Sequence, residues 1–229
     1  MKPARCANLF RRAMQGISIA TACAGIAGCS AVGFVGGMVD SYQRSSTKPV
    51  KPEYTRLKDK RWAVIVSADR EIQGEHPDLV LYLTSQITER IAKANQTVGA
   101  AGYIPPDRLL TYLYEHPEWV TKPRSQLATE LGVDRIIVVE ILEYRLNDPG
   151  NAYLWSGMAT GTVGVVEADS ILKDEVAFEK PVRVTYPDSD GITQNELSVQ
   201  VVNSVLASRF ADRASWYFYL HDEPYMPKY

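Results

Sequence analysis

The chain has 229 residues, 45% of them hydrophobic and 23% charged, with a formal net charge of −2. That balance suits one well-buried globular core and excludes a disordered or fibrous chain. It also argues against nucleic acid as a partner, because a phosphate backbone demands a basic face.

The amino terminus reads MKPARCANLFRRAMQGISIATACAGIAGCSAVGFVGGMVDS. Lys2, Arg5, Arg11 and Arg12 make a positive leader, and the first acid is Asp40. Ala13 to Gly28 is small and apolar, so residues 1–28 have the layout of a secretory signal. The segment ending at Cys29 is short for a membrane span, which needs about 20 apolar residues. Apolarity resumes at Ala31 and runs to Val39, so residues 13–39 are 27 positions without a charge, enough for an uncleaved anchor. The abundance of Gly, Ala, Ser and Thr, with few aliphatic residues, argues against that anchor, and an ordinary cleaved signal is a third reading.

Ile26-Ala27-Gly28-Cys29 resembles the lipobox of bacterial lipoproteins, an aliphatic residue and two small ones before a cysteine. The resemblance implies a diacylglyceryl group on the Cys29 thiol, cleavage between Gly28 and Cys29, and acylation of the new amino group. Ile26 stands where leucine is more usual. The cysteine distribution favours this reading, since Cys6, Cys23 and Cys29 are the chain's three cysteines. Cleavage before Cys29 leaves one thiol and no internal disulfide, and a lone exposed thiol is a liability in an oxidising compartment unless it is modified. It also leaves 21 basic against 27 acidic side chains, a formal charge of −6.

Asp40 to Arg61 is polar, contains two prolines and lacks an apolar period. Residues 29–60 are therefore expected to be a flexible tether, with the folded domain over 61–229. Lys48, Lys51, Arg56, Lys58, Lys60 and Arg61 make the tether locally basic. This suits a solvated linker or, more sharply, contact with anionic headgroups.

Within the domain, Trp62 to Ser67 is an apolar, β-branched strand. Pro77 opens a helix with Leu79, Leu83, Ile87 and Ile91 on one face. A short strand precedes Pro105, a helix runs from Asp107 to about Glu115, and another runs from Pro123 to Leu131 with Gly132 as its left-handed stop. Arg135 to Leu142 is a central strand that alternates from Glu140. Ala152–Glu167 and Glu175–Tyr186 are two more strands, with Pro181 marking an edge or bulge. Thr193 and Glu196 form a capping box, flanked by Ile192 and Leu197 as a staple. Leu197, Val201 and Val205 and also Val202, Leu206 and Phe210 make the buried stripe of the helix that follows. The expected fold is α+β, a mixed β-sheet packed by helices in the order β-α-β-α-α-β-β-β-α.

The segments WAVIVSAD, GYIPPDRLLTYL and ATELGVDRIIVVEILEY resemble successive core segments of one envelope-protein family. It includes the curli-secretion channel lipoprotein, lipoprotein activators of penicillin-binding proteins and the amino-terminal domain of the Tol system's propeller protein. The resemblance spans residues 60–212 and lies in packing patterns rather than chemistry, so it implies the fold and no single function.

No reactive motif accompanies that fold. His76, His116 and His221 lie far apart without partners at helical spacing, and are read as exposed polar residues. Gly157, Gly161 and Gly164 lack phosphate-loop spacing and are read as strand bends or close packing. Asp188 to Gly191 begins like a calcium loop but lacks its twelfth-position carboxylate, so it is read as a turn. No metal, cofactor or small-molecule substrate is expected.

Near the carboxyl end Trp216, Tyr217, Phe218 and Tyr219 suit a short edge strand that either closes the core or offers an aromatic surface to a partner. Tyr225 and Tyr229 extend that aromatic run. The combined expectation is a non-enzymatic envelope protein, held in the membrane by lipid on Cys29, with its domain in the periplasm, at the outer membrane, binding another envelope protein or the cell wall. The alternative is a protomer of an oligomeric secretion pore of the curli-channel type.

Overall fold

The computed structural model describes residues 47–170 and 174–224. Gly28, Cys29, the signal segment, Tyr225 and Tyr229 lie outside them. The chain divides into two compact units, and the one holding residues 49–222 is the folded body. The other contributes residues 47, 48, 223 and 224 to the described set. They belong to two short strands, β1 (Thr47–Val50) and β7 (His221–Pro224), which pair with each other.

The body is built on β2 (Arg61–Ala68), whose apolar run is buried from Trp62 to Val66. It pairs in parallel with β3 (Gly102–Tyr103) and with β4 (Arg135–Arg145). β4 pairs antiparallel with β5 (Gly157–Glu167), and β5 with β6 (Val176–Tyr186), giving the order β3-β2-β4-β5-β6. Parallel neighbours need a long crossover. Between β2 and β4 it consists of α1 (Arg70–Glu75), α2 (Leu79–Lys93), α3 (Asn95–Val98), β3, α4 (Pro106–Glu115) and α5 (Arg124–Leu131). The last helix is α6 (Val199–Trp216).

Two clusters hold the sheet. On one face Leu83, Ile87 and Ile91 of α2 and Leu206 and Phe210 of α6 pack on Val64, Val139, Val163 and Val184. On the other, Leu109 of α4 and Leu127 of α5 pack on Ile65 and Ile136. Strands covered on both faces read as continuous apolar runs, which is why β2 and the start of β4 do so. Past Glu140, β4 alternates and its second face is wet. The fold is thus the expected α+β arrangement, with α2, α4, α5 and the Gly132 stop (φ 65°) where the sequence places them.

Four local expectations change. An additional helix, α1, precedes α2 because Asp69 accepts a hydrogen bond from Ile72 N at 2.8 Å. Residues 152–156 form a loop before β5, bridged once between Leu154 and Thr193. The Thr193–Glu196 box forms, with Thr193 N donating to Glu196 Oε2 at 2.7 Å, but it closes a turn. Trp155 Nε1 takes the Leu197 carbonyl at 2.8 Å and Ser198 is extended, so α6 restarts with Ser198 as its cap. Of the two proposed stripes only Val202, Leu206 and Phe210 is buried; Val201 is exposed.

The tether also ends earlier than expected. Tyr54 is 3% and Leu57 1% exposed, and the amides of Glu53 and Tyr54 donate to the Tyr217 carbonyl at 3.0 and 2.9 Å. The segment's polar residues lack an apolar period because they serve an ion cluster. Tyr54 OH donates to Glu167 Oε1 at 2.7 Å, and Arg56 Nε lies 3.2 Å from that oxygen. Arg135 opposes Glu167 across the β4–β5 ladder and pairs with Asp169, which Lys60 also holds at 2.9 Å. Burial and then the hydrogen bond to Glu167 push the Tyr54 phenol up, while Arg135 and then Lys60 hold the Asp169 carboxyl down at about 2.

The glycines of β5 answer to close approach. A Cβ on Gly161 would meet the Glu140 carbonyl oxygen at 2.3 Å and the Phe210 ring at 3.0 Å. One on Gly164 would meet the Val176 side chain at 3.3 Å and the Phe178 and Val138 carbonyl oxygens at ordinary contact distances of 3.6 and 4.0 Å. Gly161→Ala is therefore expected to cost about 1–3 kcal/mol by overpacking, and Gly164→Ala about 1 kcal/mol or less; urea unfolding distinguishes them, and equal costs would contradict the packing account. The lowered Asp169 pKa stabilises the fold above its ordinary value of 3.8, and that contribution is lost as pH falls toward about 2. Acid titration by circular dichroism should show this loss in the wild type and a flatter curve in Asp169→Asn.

Candidate functional site

The strand ends of the antiparallel half form a polar cleft of about 500 Å³. Arg145 ends β4, Ser156 and Met158 flank the start of β5, Arg183 and Thr185 lie near the end of β6, and the turn 187–191 closes the far wall. Arg145 is held at two nitrogens: Nε donates to Glu143 at 2.8 Å and Nη1 to the Asn147 carbonyl at 3.1 Å and to the Asp148 carboxylate. Hydrogen bonds from Arg145 and then Ser156 lower the Asp148 carboxyl.

Arg209, reaching from α6, organises the other wall. Its guanidinium grips Asp188 through both oxygens at 2.6 and 2.9 Å, donates to the Thr185 carbonyl at 2.8 Å and lies over the Tyr186 ring. The loops are tied down as well, by Asn147 Nδ2 to the Leu154 carbonyl at 2.7 Å and Gln194 Nε2 to the Ala152 carbonyl at 2.6 Å. Against these clamped groups, Arg183 and Asp190 are exposed and enter no ion pair among the described residues. The cleft offers one free cation and one free anion on stiff walls. It can hold a polar ligand by hydrogen bonds and opposite charges.

A second cavity, of about 300 Å³, lies between the α1–α2 turn and α6. His76 lines it, its ring edge-on to Tyr144 at 4.7 Å, and Tyr144 OH donates to Asn203 Oδ1 at 2.8 Å. Burial lowers the His76 pKa, against the opposing pull of Glu75.

The other residues singled out from sequence fall elsewhere. Phe218 is 2% exposed in the core, so it offers no partner surface. Trp216 ends α6 and stacks on His221 at 4.5 Å; Tyr217 OH donates to the Pro181 carbonyl at 2.7 Å; Tyr219 OH lies 3.0 Å from Ser215 Oγ. The aromatic tail thus closes the core instead of forming an edge strand at 216–221. The three histidines are half-buried rather than exposed, His116 stacking on Tyr112 at 4.4 Å, and the fold does not bring them together. Asp188 to Gly191 is a turn, with Gly191 at φ 82°. Among the described residues no group of three or more His, Cys, Asp or Glu is placed to hold a metal ion.

No protein-family model matches the chain, and no curated protein matches it. Among solved structures it is similar to the PelC dodecamer from Paraburkholderia phytofirmans, at a TM-score of 0.44 and 12% identity over 76% of this chain and 97% of that one. It is also similar to lipoprotein GNA1162 from Neisseria meningitidis, at 0.42 and 7% over 65% and 92%. A third likeness is to protein XCC0632 from Xanthomonas campestris, at 0.40 and 11% over 75% and 86%. Likeness at this level carries no statement about function.

Arg209 supplies the test of the cleft's wall. Arg209→Ala should lose about 1–2 kcal/mol, since the Asp188 pair is partly exposed, and should raise amide exchange at residues 188–191. Arg209→Lys keeps the charge but not the fork, and should recover less than half. Full recovery by lysine would mean that charge alone holds the turn.

Proposed function

We propose that the chain is a lipid-anchored, non-enzymatic protein of the bacterial cell envelope, acylated at Cys29 after cleavage behind Gly28, with its domain in the periplasm at the outer membrane. There it binds another envelope protein or the cell wall. The observation that carries this reading is the basic leader and apolar run ending in Ile26-Ala27-Gly28-Cys29, with all three cysteines inside the first 29 residues. Among the described residues no helix is long and apolar enough to cross a membrane.

The folded body supports a binding role in two ways. Its clamped cleft presents Arg183 and Asp190 on walls that need little ordering on association. Tyr153, 83% exposed in the Leu146–Ser156 loop, adds a large amphipathic side chain of the kind that anchors partners. Of the tail residues, Phe218 is buried and Tyr217 and Tyr219 pack partly on the core, while Trp216 is half-exposed and stacked on His221. Residues 30–46 separate Cys29 from β1, so whatever their conformation the domain's first strand lies within about 60 Å of the acylated residue.

The pore alternative has less support. The β5–β6 hairpin packs one face under α6, and its other face carries Thr160, Thr162, Glu179 and Arg183. A membrane strand needs an apolar band there.

Metabolic labelling tests the anchor. Cells fed labelled palmitate should label the wild-type chain and leave Cys29→Ala unlabelled and unprocessed; label persisting on the variant would defeat the lipobox reading.

A further inference from the structure

Away from the cleft, at the opposite end of β2, Arg61 of β2 and Arg108 of α4 line one cavity of about 190 Å³. Both are exposed, and among the described residues neither guanidinium enters a hydrogen bond or ion pair; the Arg61 backbone exchanges bonds with Asp134, N to Oδ2 and O from N, each at 2.8 Å. Other basic side chains at this end are paired. Arg56 pairs with Glu167, Lys60 and Arg135 with Asp169, and Lys122 with Glu118 and Glu130. The chain carries 27 acids against 25 Lys and Arg, so two free guanidiniums on one cavity do not reflect a shortage of carboxylates.

The rest of the cavity fits the same ligand. Tyr103 is 42% exposed, and its ring stacks at 5.3 Å and 25° on buried Trp62, which makes it a firm flat wall. Glu130 is the single acid in the lining, and it is already engaged by Lys122 at 2.9 Å, Tyr112 at 2.6 Å and Gln126 at 2.9 Å. Those three bonds hold its carboxyl at about 2, so it stays ionised and tied to Lys122, Tyr112 and Gln126. Asp107 does not line the cavity.

We propose that this cavity binds a phosphate group, with the guanidiniums of Arg61 and Arg108 on its oxygens and the Tyr103 ring against the moiety that bears it. One planar fork satisfies a carboxylate, whereas two forks from different elements suit a multiply charged group with oxygens on several sides. The phosphate comes from a lipid headgroup or from a free phosphate compound. The inference does not rest on acylation of Cys29.

The test uses the full chain in neutral detergent micelles at fixed ionic strength, read by phosphorus NMR line width. One arm titrates inorganic phosphate, and the other dopes the micelles with phosphatidylglycerol. Saturable broadening is expected, weakened about tenfold or more in Arg61→Gln and in Arg108→Gln and unchanged in Lys51→Gln. Any contribution of the basic leader is common to all these proteins and cancels. Sensitivity to the two arginines in the lipid arm alone assigns the headgroup, in the inorganic arm alone a free phosphate, and in both the shared group. Both side chains are exposed, so the variants should melt with the wild type. Absence of saturable broadening in both arms, or broadening unchanged in the double variant, overturns the proposal.

Discussion

Strand β4 sets the constraint from which the rest of the body follows. It is hydrogen-bonded on both sides, in parallel to β2 and antiparallel to β5. A parallel neighbour cannot be reached by a tight turn, so the chain between β2 and β4 must cross over, and its helices cover both faces of that half. An antiparallel neighbour needs no such crossover, and β5 and β6 are covered mainly by α6 on one face, with α5 also touching β5. One strand therefore divides the sheet into a dry half and a half with one wet face, and the polar cleft opens at the end of the wet half. The bulge between Ile141 and Glu143 lies in this second half of β4.

The sheet's two edges are closed by different means. β3 has two residues and presents little to an incoming strand. β6 has eleven, a length that invites pairing with another chain. Three of its carbonyls accept side-chain hydrogen bonds: Ala177 from Arg56, Pro181 from Tyr217 and Thr185 from Arg209. Pro181 also lacks a donor. The blocking groups come from the segment before β2 and from α6 and its end, so the contacts that fasten the chain's flanks to the body also disarm its edge. Strand addition is thereby disfavoured as a binding mode, and recognition falls to side chains.

What the sequence made legible was whatever repeats locally. The four-residue spacing from Leu79 to Ile91, the left-handed stop at Gly132 and the apolar run from Ile136 are short-range signals, and each names its element correctly. The segment from Tyr54 to Lys60 carries no such signal. Two isolated apolar residues enter the core, and the charges around them find partners more than 100 residues away, at Glu167 and Asp169. Those partners exist only once β4 and β5 have paired. The same blindness hid the cleft, whose walls come from two loops and three strand ends, and whose turn at 187–191 is held by an arginine on a later helix. The capping box at Thr193 shows the converse. Its local chemistry was read correctly, and a tryptophan from another segment, by taking the Leu197 carbonyl, decided that the helix would begin later.

The disposition of charge says where recognition can occur. Most ionised groups at the sheet's ends are committed to holding backbone: Arg145 to the loop after β4, Arg209 to the turn after β6, and Glu167 and Asp169 to the segment before β2. A guanidinium that already satisfies a carboxylate and a carbonyl has little left to offer a ligand, and pulling it away would leave a half-buried acceptor unmatched. Free charges are therefore more informative than charged patches. Arg183 and Asp190 mark the cleft, and Arg61 and Arg108 mark the other end of the parallel half. In each place the free groups stand beside side chains fixed by their own hydrogen bonds or stacking, so association there would order little of the protein, and its strength would be set by how well the partner's charges match these four.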